Sequence, residues 1–326
     1  MGVIAGNNAV MQVGVQSNWS TAVTPTLQIE FTSESLQYLP NYMESDALTG
    51  SRTTDRMDIS GIKVEGGFDV IVNPDNIGLL LAALLGSEAN AAQVASTTAY
   101  DHAFTPMSAN IASSLPKLSI LVDRIVGVVR YVGSKLDSVS LSAQPQDYLR
   151  ASFSVRGYDE TSGTKQALSA STKRPYQFVD GALTLDSATQ ADVTNFTMDY
   201  SNNLENDAFT LNGSTRMVEI EPQKRDITFQ VEARYTTTTN TTRSAKFKAG
   251  ATVALELTFE STEEIESGYP YRLTIAAPNC YVTEAHPSVA GPDRIMINMA
   301  MRATETGGVS PVTITVRDAE ATNYLT

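Results

Sequence analysis

The chain has 326 residues, of which 36 are Asp or Glu and 23 are Lys or Arg, so its formal net charge at pH 7 is −13. This balance argues against a tight nucleic-acid binder, because such proteins gain affinity when Lys and Arg displace counterions from phosphates. With 42% hydrophobic and 18% charged residues the chain can build a core. Its length fits two domains or one large all-β unit.

Cysteine content and hydropathy exclude two further classes of protein. Cys280 is the only cysteine, which rules out an internal disulfide and any metal site that needs several cysteines. The longest apolar run, 77–85, is far shorter than the roughly 20 residues of a membrane span. The first eight residues do not resemble a secretory signal. We therefore expect no membrane role, and we expect folding in the cytoplasm.

Apolar and polar residues alternate along most of the chain, which is typical of strands in antiparallel sheets. The alternation is clearest in 59–72 and 226–234, where one face is apolar and the other polar. The remaining runs, in chain order, are 118–122, 126–132, 136–142, 149–155, 253–259, 273–276, 295–301 and 312–316. The sequence therefore predicts a mainly β protein.

Two segments have helical features. The first is 74–85, with Asn73 as a possible cap, Pro74 in the first turn and Gly86 after the end. The second is 241–249, which ends before Gly250 in the same way. Each follows a predicted strand.

Similar segments recur along the chain and indicate an internal repeat. Residues 48–52 (LTGSR) recur at 211–216 (LNGSTR), and residues 147–156 are echoed by 293–302, with offsets of 163 and 146. The offset shrinks if the first copy carries extra residues, and the Ala/Ser/Thr-rich stretch 87–114 is the expected place for them. We therefore predict two tandem domains, 1–165 and 166–326. The alternative is chance similarity between short β-rich segments.

Candidate catalytic groups are few. His102 lies in a predicted strand, His286 in a predicted loop, and Cys280 has no flanking motif of a thiol enzyme, so we interpret all three as structural. Two acidic clusters lack the spacing of a calcium loop and fit solvated loops better. These clusters are Glu263, Glu264 and Glu266, and Asp199, Glu205 and Asp207. The sequence thus predicts no enzyme, no catalytic or metal site and no cofactor.

The order of these pieces resembles the major tail tube proteins of long-tailed (siphovirus-type) bacteriophages. The resemblance rests on the opening 14–23, the polar loop 44–50, the strand 59–72 and the helix 73–86, and it is clearest over residues 1–90. It implies two tandem β-sandwich or split-barrel domains, each with one flanking α-helix. It also implies a structural virion protein that polymerises as stacked rings into the tail tube, a conduit for DNA ejection into the host.

The resemblance also implies partners and a location. The chain would contact copies of itself, the tape measure protein inside the tube, and the tail terminator and distal tail proteins at its ends, while DNA passes without specific binding. Its place would be the virion tail, after folding and assembly in the host cytoplasm. The alternative function is a decoration or adhesin-like β-sandwich protein, although only 7% of the residues are aromatic. An enzyme ranks third.

We predict a ring of three chains. Because each chain has two similar domains, such a ring has six nearly equivalent positions around the channel. The competing arrangement is six chains, with one domain of each outside the channel wall.

We predict that the loops 38–56 and 201–216 carry contacts between stacked rings, through Tyr42, Glu44, Asp46, Leu48, Arg52, Arg56, Leu204, Asp207, Leu211 and Arg216. We predict a net negative channel wall, with candidate lining residues Lys63, Glu65, Asp69, Asp226, Gln230, Glu232 and Arg234.

Overall fold

The structure, a computed structural model, describes residues 6–48, 50, 52–54, 56–107, 114–289 and 291–325. Strands account for 53% and helices for 9%, which confirms the prediction of a mainly β protein. Thr49 and Ser51 of the first repeat segment, and residues 108–113 of the stretch 87–114, lie outside the described residues.

Twelve strands are described before residue 165. They are β1 Val10–Gln16, β2 Leu27–Ile29, β3 Phe31–Glu34, β4 Gln37–Glu44, β5 Met57–Ile71, β6 Gly86–Glu88, β7 Ala92–Gln93, β8 Tyr100–Pro106, β9 Lys117–Asp123, β10 Val128–Ala143, β11 Arg150–Gly157 and β12 Asp159–Ser162. Helix α1, Pro74–Leu85, follows β5, and a 3-10 turn, Gly6–Asn8, precedes β1.

Eight strands are described in the rest of the chain. They are β13 Gly181–Leu185, β14 Ala188–Thr189, β15 Val193–Ser201, β16 Asp226–Arg234, β17 Thr252–Glu266, β18 Tyr269–Ser288, β19 Met296–Ala303 and β20 Thr313–Asp318. A 3-10 turn, Phe178–Asp180, precedes β13. Helix α2, Thr237–Thr242, continues into a π-helical turn, Arg243–Phe247.

One eight-stranded antiparallel sheet, the main sheet, runs through both halves of the chain. Its strand order is β4–β5–β11–β10–β15–β16–β19–β18. Strand β3 extends the β4 edge by pairing with the last part of β5. The sheet is open within the described part of the chain.

Two smaller antiparallel sheets lie behind the main sheet. The first back sheet has the order β2–β1–β9–β10–β12 and uses residues 128–134 of β10. The second has the order β14–β13–β17–β18–β20–β8, with β6 and β7 on β8. Strands β10 and β18 therefore each pass from a back sheet into the main sheet.

The core lies between the main sheet and the back sheets, and one hydrophobic cluster extends through both halves. It includes Phe153 and Val139 from the first half, Phe229 and Met299 from the second, and most of α1. Because apolar side chains point inward at alternate positions, each strand of the main sheet turns its other side chains outward.

Helix α1 has the predicted bounds, but Asn73 does not cap it. The Asn73 side chain instead donates from Nδ2 to Glu30 at 2.8 Å. Gly86 ends the helix in the left-handed conformation (φ 79°), as expected. Every residue of α1 except Asp75 is buried, so this flanking helix packs into the core.

The second helix begins four residues earlier than predicted. Thr236 and Thr239 bond each other's backbone N–H groups with their hydroxyls, which satisfies the first turn of a Thr-rich segment with low helix propensity. The predicted strands 126–132 and 136–142 are one strand, β10. Gly133, with a φ of 63°, lets that strand bend from the first back sheet into the main sheet.

The two halves contain the same order of elements. In the first half the main-sheet strands are β4–β5–β11–β10, with α1 after β5 and the hairpin of β9 and β10 behind them. In the second half they are β15–β16–β19–β18, with α2 after β16 and the hairpin of β17 and β18 behind them.

Candidate functional site

The outward side of the main sheet is a polar face made of short hydroxyls, amides and charged side chains. All seven residues predicted to line a channel lie on it, because they occupy the outward positions of β5 and β16. Asp199 was predicted in a solvated loop but belongs to β15. The other members of this face were not among the predicted lining residues. These are Arg150, Ser152, Ser154 and Arg156 of β11, Ser138, Ser140 and Ser142 of β10, Asn195, Thr197, Asp199 and Ser201 of β15, Asn298 and Arg302 of β19, and Glu284 of β18.

Serines fill the centre of this face, where the two halves meet. Strand β10 pairs with β15 over Ser138–Ala143 and Ser201–Phe196, so the polar face of one half continues into that of the other. Ser152, Ser140 and Asp199 lie side by side on three neighbouring strands. In the sequence, Ser occupies every second position of 138–142 and 152–154. This pattern indicates strands with one polar face, but it does not identify the strand that pairs with β10.

Charges on the polar face are nearly balanced. The acidic side chains are Glu65, Asp69, Asp199, Asp226, Glu232 and Glu284, and the basic ones are Lys63, Arg150, Arg156, Arg234 and Arg302. Arg302 pairs with Asp226 at 2.7 Å, and Arg156 pairs with Asp137 at 3.0 Å. Paired arginines of this kind do not form a continuous basic track that neutralises successive phosphates.

The hairpin of β4 and β5 extends beyond the sheet and exposes apolar side chains. Residues 38–44 belong to β4, so the predicted loop 38–56 is shorter than expected. We call the exposed side chains Tyr42, Met43, Leu48, Met57 and Ile59 the apolar arm. They make up five of the fourteen exposed large apolar side chains in the described residues, and Leu48 is fully exposed. Such a concentration of exposed apolar surface is typical of an interaction site.

The equivalent loop of the second half, residues 202–225, lies against its own chain. Arg216 pairs with Asp159 at 2.6 Å, and Lys63 lies 3.6 Å from Asp207. The Ile62 N–H donates to the carbonyl of residue 215 at 2.8 Å. Leu211 at the tip is fully exposed. The two loops therefore differ, although they follow equivalent strands.

Two of the predicted residues are less accessible than expected. Leu204 is buried in a small cluster with Met217 and Ile220, so it has no surface to offer to another ring. Lys63 lies beneath the second loop, with its ammonium 5.8 Å from the Phe209 ring centre.

A buried lysine fixes the second loop. Lys135 is fully buried, and its ammonium donates to Ser114 and to the Ile220 carbonyl at 2.8 Å each and lies 2.9 Å from Glu219. Burial raises the pKa of Glu219, but hydrogen bonds from Ser114, Lys135 and Lys117 outweigh burial and bring this pKa below its ordinary value. Lys135 occupies one position of an otherwise ordinary strand pattern, so this role could not be predicted from the sequence.

His102 holds the C-terminal segment. Its Nδ1 lies 3.1 Å from Glu88, and its Nε2 lies 2.9 Å from the Glu320 carbonyl and 3.3 Å from Asp318. Burial lowers the pKa of His102, but hydrogen bonds to Asp318 and Glu88 outweigh burial and raise it to about 10. The Tyr324 hydroxyl donates to Asp318. His102 therefore acts as a buried cation that ties the chain end to β8.

The other reactive groups considered in the sequence lie on strands of the second half. His286 belongs to β18 instead of the predicted loop; it is exposed, and its ring contacts Phe247. Cys280 is buried, and burial raises the pKa of its thiol to about 12. Glu263 pairs with Lys173 at 2.9 Å.

The described residues also bear on metal binding and on membrane crossing. No group of three or more His, Cys, Asp or Glu side chains is arranged there to hold a metal ion. None of the helices in this part of the chain has the length and apolar character needed to cross a membrane.

The comparison with protein families agrees with this architecture. No curated protein matches the sequence significantly. The model of the phage tail tube protein family matches residues 6–303, which is nearly the whole chain. A structural protein of this family assembles with copies of itself into a tube. The chain therefore belongs to the phage tail tube protein family and is a structural component of the virion tail.

Proposed function

We propose that three copies of this chain close into a ring whose main sheets form one continuous channel wall, and that stacked rings conduct DNA into the host. The observation that carries this proposal is the pairing of β10 with β15, which joins both halves into one eight-stranded sheet with one polar face. A wall of this kind needs every strand of the main sheet. The alternative of six chains, with half of each outside the wall, would need the halves to be separate.

The free edges of the main sheet are where neighbouring chains would join. Among the described residues, no strand pairs with the outer side of β3 and β4 at one edge, or with residues 282–288 of β18 at the other. Pairing these edges head to tail removes exposed edges that otherwise promote aggregation. Three chains supply eight strands each, 24 in all. At a strand spacing of about 4.8 Å and a tilt of about 40°, such a barrel has a diameter of about 48 Å.

We further propose that the two halves, 1–165 and 166–326, arose by internal duplication. The matching strand orders and helix positions support this. A shared core and the pairing of β20 with β8 connect the two proposed copies. The extra strands β6–β8 of the first copy supply that second connection.

The polar face suits passage of DNA without binding. Short serines at its centre leave room, and the near balance of charges limits attraction to phosphates. The chain's net charge of −13 adds a mild repulsion. The acidic excess lies mostly outside this face, so we propose a wall that is weakly negative.

Stacking would use the apolar arm, with the charged neighbours Glu44, Asp46, Arg52 and Arg56 setting orientation. In the second loop, Asp207 and the tip at Leu211 are exposed for such contacts. At the ends of the tube the same surfaces would meet the tail terminator and distal tail proteins, and the polar face would surround the tape measure protein. Assembly would take place in the host cytoplasm.

Electron microscopy of the purified protein tests this proposal. We expect stacked rings or tubes of uniform width, and we expect a variant lacking residues 44–54 to give folded protein that no longer stacks. A matched variant that lacks residues 210–214 at the tip of the second loop should weaken stacking less, because it removes one exposed large apolar side chain, Leu211, and leaves the apolar arm intact. Dispersed monomers of the unaltered protein would contradict the proposal and favour a separate decoration or adhesin-like module.

A further inference from the structure

The chain contains a single Asn-Gly pair, and the structure places it at the tip of the second loop. Asn212 and Gly213 are both exposed there, next to the fully exposed Leu211. The Arg216–Asp159 ion pair holds the base of the loop on its own chain. The pair therefore projects into solvent from a fixed base.

The backbone at Gly213 is open to an attack on the neighbouring side chain. Gly213 has a φ of 74°, in the left-handed region that favours glycine. Among the described residues, no atom beyond its chain neighbours lies within 4 Å of the point where a Cβ of Gly213 would sit. The nitrogen of Gly213 can therefore approach Cγ of Asn212 and close a five-membered ring without a steric obstacle.

A hydrogen bond activates the Asn212 side chain for this attack. The Ser214 N–H donates to Oδ1 of Asn212 at 2.9 Å. When a nucleophile adds to Cγ, negative charge develops on Oδ1, and a donor already placed on that oxygen stabilises the charge. The tip thus combines an accessible nucleophile with a polarised carbonyl group.

The second place where such a ring could close is locked. Asp180 precedes Gly181, but its carboxylate accepts hydrogen bonds from Arg174 at 2.8 Å and from the Gln177 N–H at 2.9 Å. Gly181 itself is paired with Phe259 in the second back sheet. The Asp180–Gly181 pair therefore provides an unreactive reference within the same chain.

We propose that Asn212 is a site of spontaneous deamidation, which converts the tip of the second loop from neutral to anionic. The nitrogen of Gly213 loses its proton to the solvent and forms a bond to Cγ, while the bond from Cγ to Nδ2 breaks. Nδ2 takes up a proton and leaves as ammonia. Water then opens the succinimide at either carbonyl, which gives an aspartate or an isoaspartate at position 212.

The inference goes beyond the proposed function and does not depend on ring formation, because the reaction needs only water and the free chain. Each chain gains one negative charge, and the isoaspartate also lengthens the backbone by one methylene. A virion does not replace its subunits, so the change would accumulate with the age of the tail.

Mass spectrometry of the purified full-length chain tests the proposal. During incubation at pH 8, the peptide that contains position 212 should become heavier by about 1 Da, because ammonia is lost and water is gained. The rate should be at least about tenfold lower at pH 6, since the attacking nitrogen must lose its proton. Ion-exchange chromatography should show a more acidic form that elutes with the variant Asn212→Asp.

Two controls make the result specific. Asn212→Gln should remain a single species, because glutamine would have to close a less favourable six-membered ring. Asp180 should contain no isoaspartate in the same sample. The proposal is wrong if position 212 gains no mass at pH 8, or if Asn212→Gln yields the acidic form as fast as the unaltered chain.

Discussion

The Ser140 hydroxyl donates a 2.6 Å hydrogen bond to the Asp199 carboxylate, across the boundary between the two halves of the chain. The two residues are direct neighbours on β10 and β15. Hydrogen bonds from a neutral donor to a carboxylate are among the stronger ones in proteins. This pair therefore fixes the register in which the two halves form one sheet.

Because the halves share a sheet and a core, we expect them to unfold together. Trp19 lies in the first half, and its indole donates to the Met217 carbonyl of the second half at 3.3 Å. Cys280 lies buried in the second half. Unfolding in urea should therefore change Trp19 fluorescence and expose the Cys280 thiol to labelling at the same midpoint. Two separate midpoints would mean that the halves are independent domains.

Removing the buried cation at His102 should destabilise the protein most at low pH. Because the His102 pKa is raised from 6.5 to about 10, its stabilising contribution is full below pH 6.5 and is lost as the pH rises through about 10. We expect His102→Gln to lower the free energy of unfolding at pH 6 by about 1–3 kcal/mol, and by less at pH 10.

Chemical denaturation at the two pH values measures this difference. The matched control is His286→Gln, at an exposed position, which should change stability by less than about 0.5 kcal/mol. A loss at His102 that is equal at pH 6 and pH 10 would show that the imidazole is uncharged in the folded protein.

Arg243 should slow ring closure. Its guanidinium donates from Nε to the Ala285 carbonyl at 2.8 Å, on the part of β18 that we propose joins the next chain. A side chain that binds the backbone of a free sheet edge hinders premature pairing of that edge with a strand of another chain. Arg243→Met should therefore speed ring formation by about tenfold or more, since one hydrogen bond from a charged group is worth about 1.5–3 kcal/mol.

Size-exclusion chromatography during assembly gives the rate of ring formation. Lys248→Met, at an exposed position near the end of the same helical segment, should leave that rate unchanged. A slower rate in Arg243→Met would show that the arginine stabilises the ring and does not guard the edge.

Adding cations to the polar face should convert it into a DNA-binding surface. Ser138 and Ser154 are cross-strand neighbours at its centre. We expect tubes of Ser138→Arg with Ser154→Arg to bind duplex DNA with strong salt dependence, since each neutralised phosphate adds about 0.9 to the slope of log affinity against log salt. Unaltered tubes and the control with Asn at both positions should bind weakly at low salt. Tight, salt-sensitive binding by unaltered tubes would refute the account of the wall.

Local patterns predicted the elements well, and long-range pairings less well. Alternation located the long strands, and Pro74 and Gly86 located α1. The helix α2 began earlier than predicted because Thr236 supplies a cap that the Thr-rich composition obscures. Two predicted strands form the single strand β10 because the chain bends at Gly133 without ending the strand. In the sequence, Gly133 interrupts the alternation and so predicts two strands.

The candidate site was predictable only in part. Period two places Asp226 and Glu232 on one face of β16, so the sequence shows that they share a face. It does not show that β15 pairs with β10, because that pairing joins residues some sixty positions apart. The similar sequences 48–52 and 211–216 also did not indicate that the two loops pack differently. Lys135 binds one loop to the chain, whereas Tyr42 and Leu48 of the other hairpin are exposed.

The central claim is that both halves of each chain line the channel in a ring of three. A cryo-electron microscopy reconstruction of assembled tubes tests it most directly. We predict threefold rings of about 105 kDa, from three chains of 35.1 kDa, with 24 strands around the channel and the serines of β10 and β11 on its inner wall. A ring of six chains, or one in which the polar face of either half points away from the channel, would contradict the account.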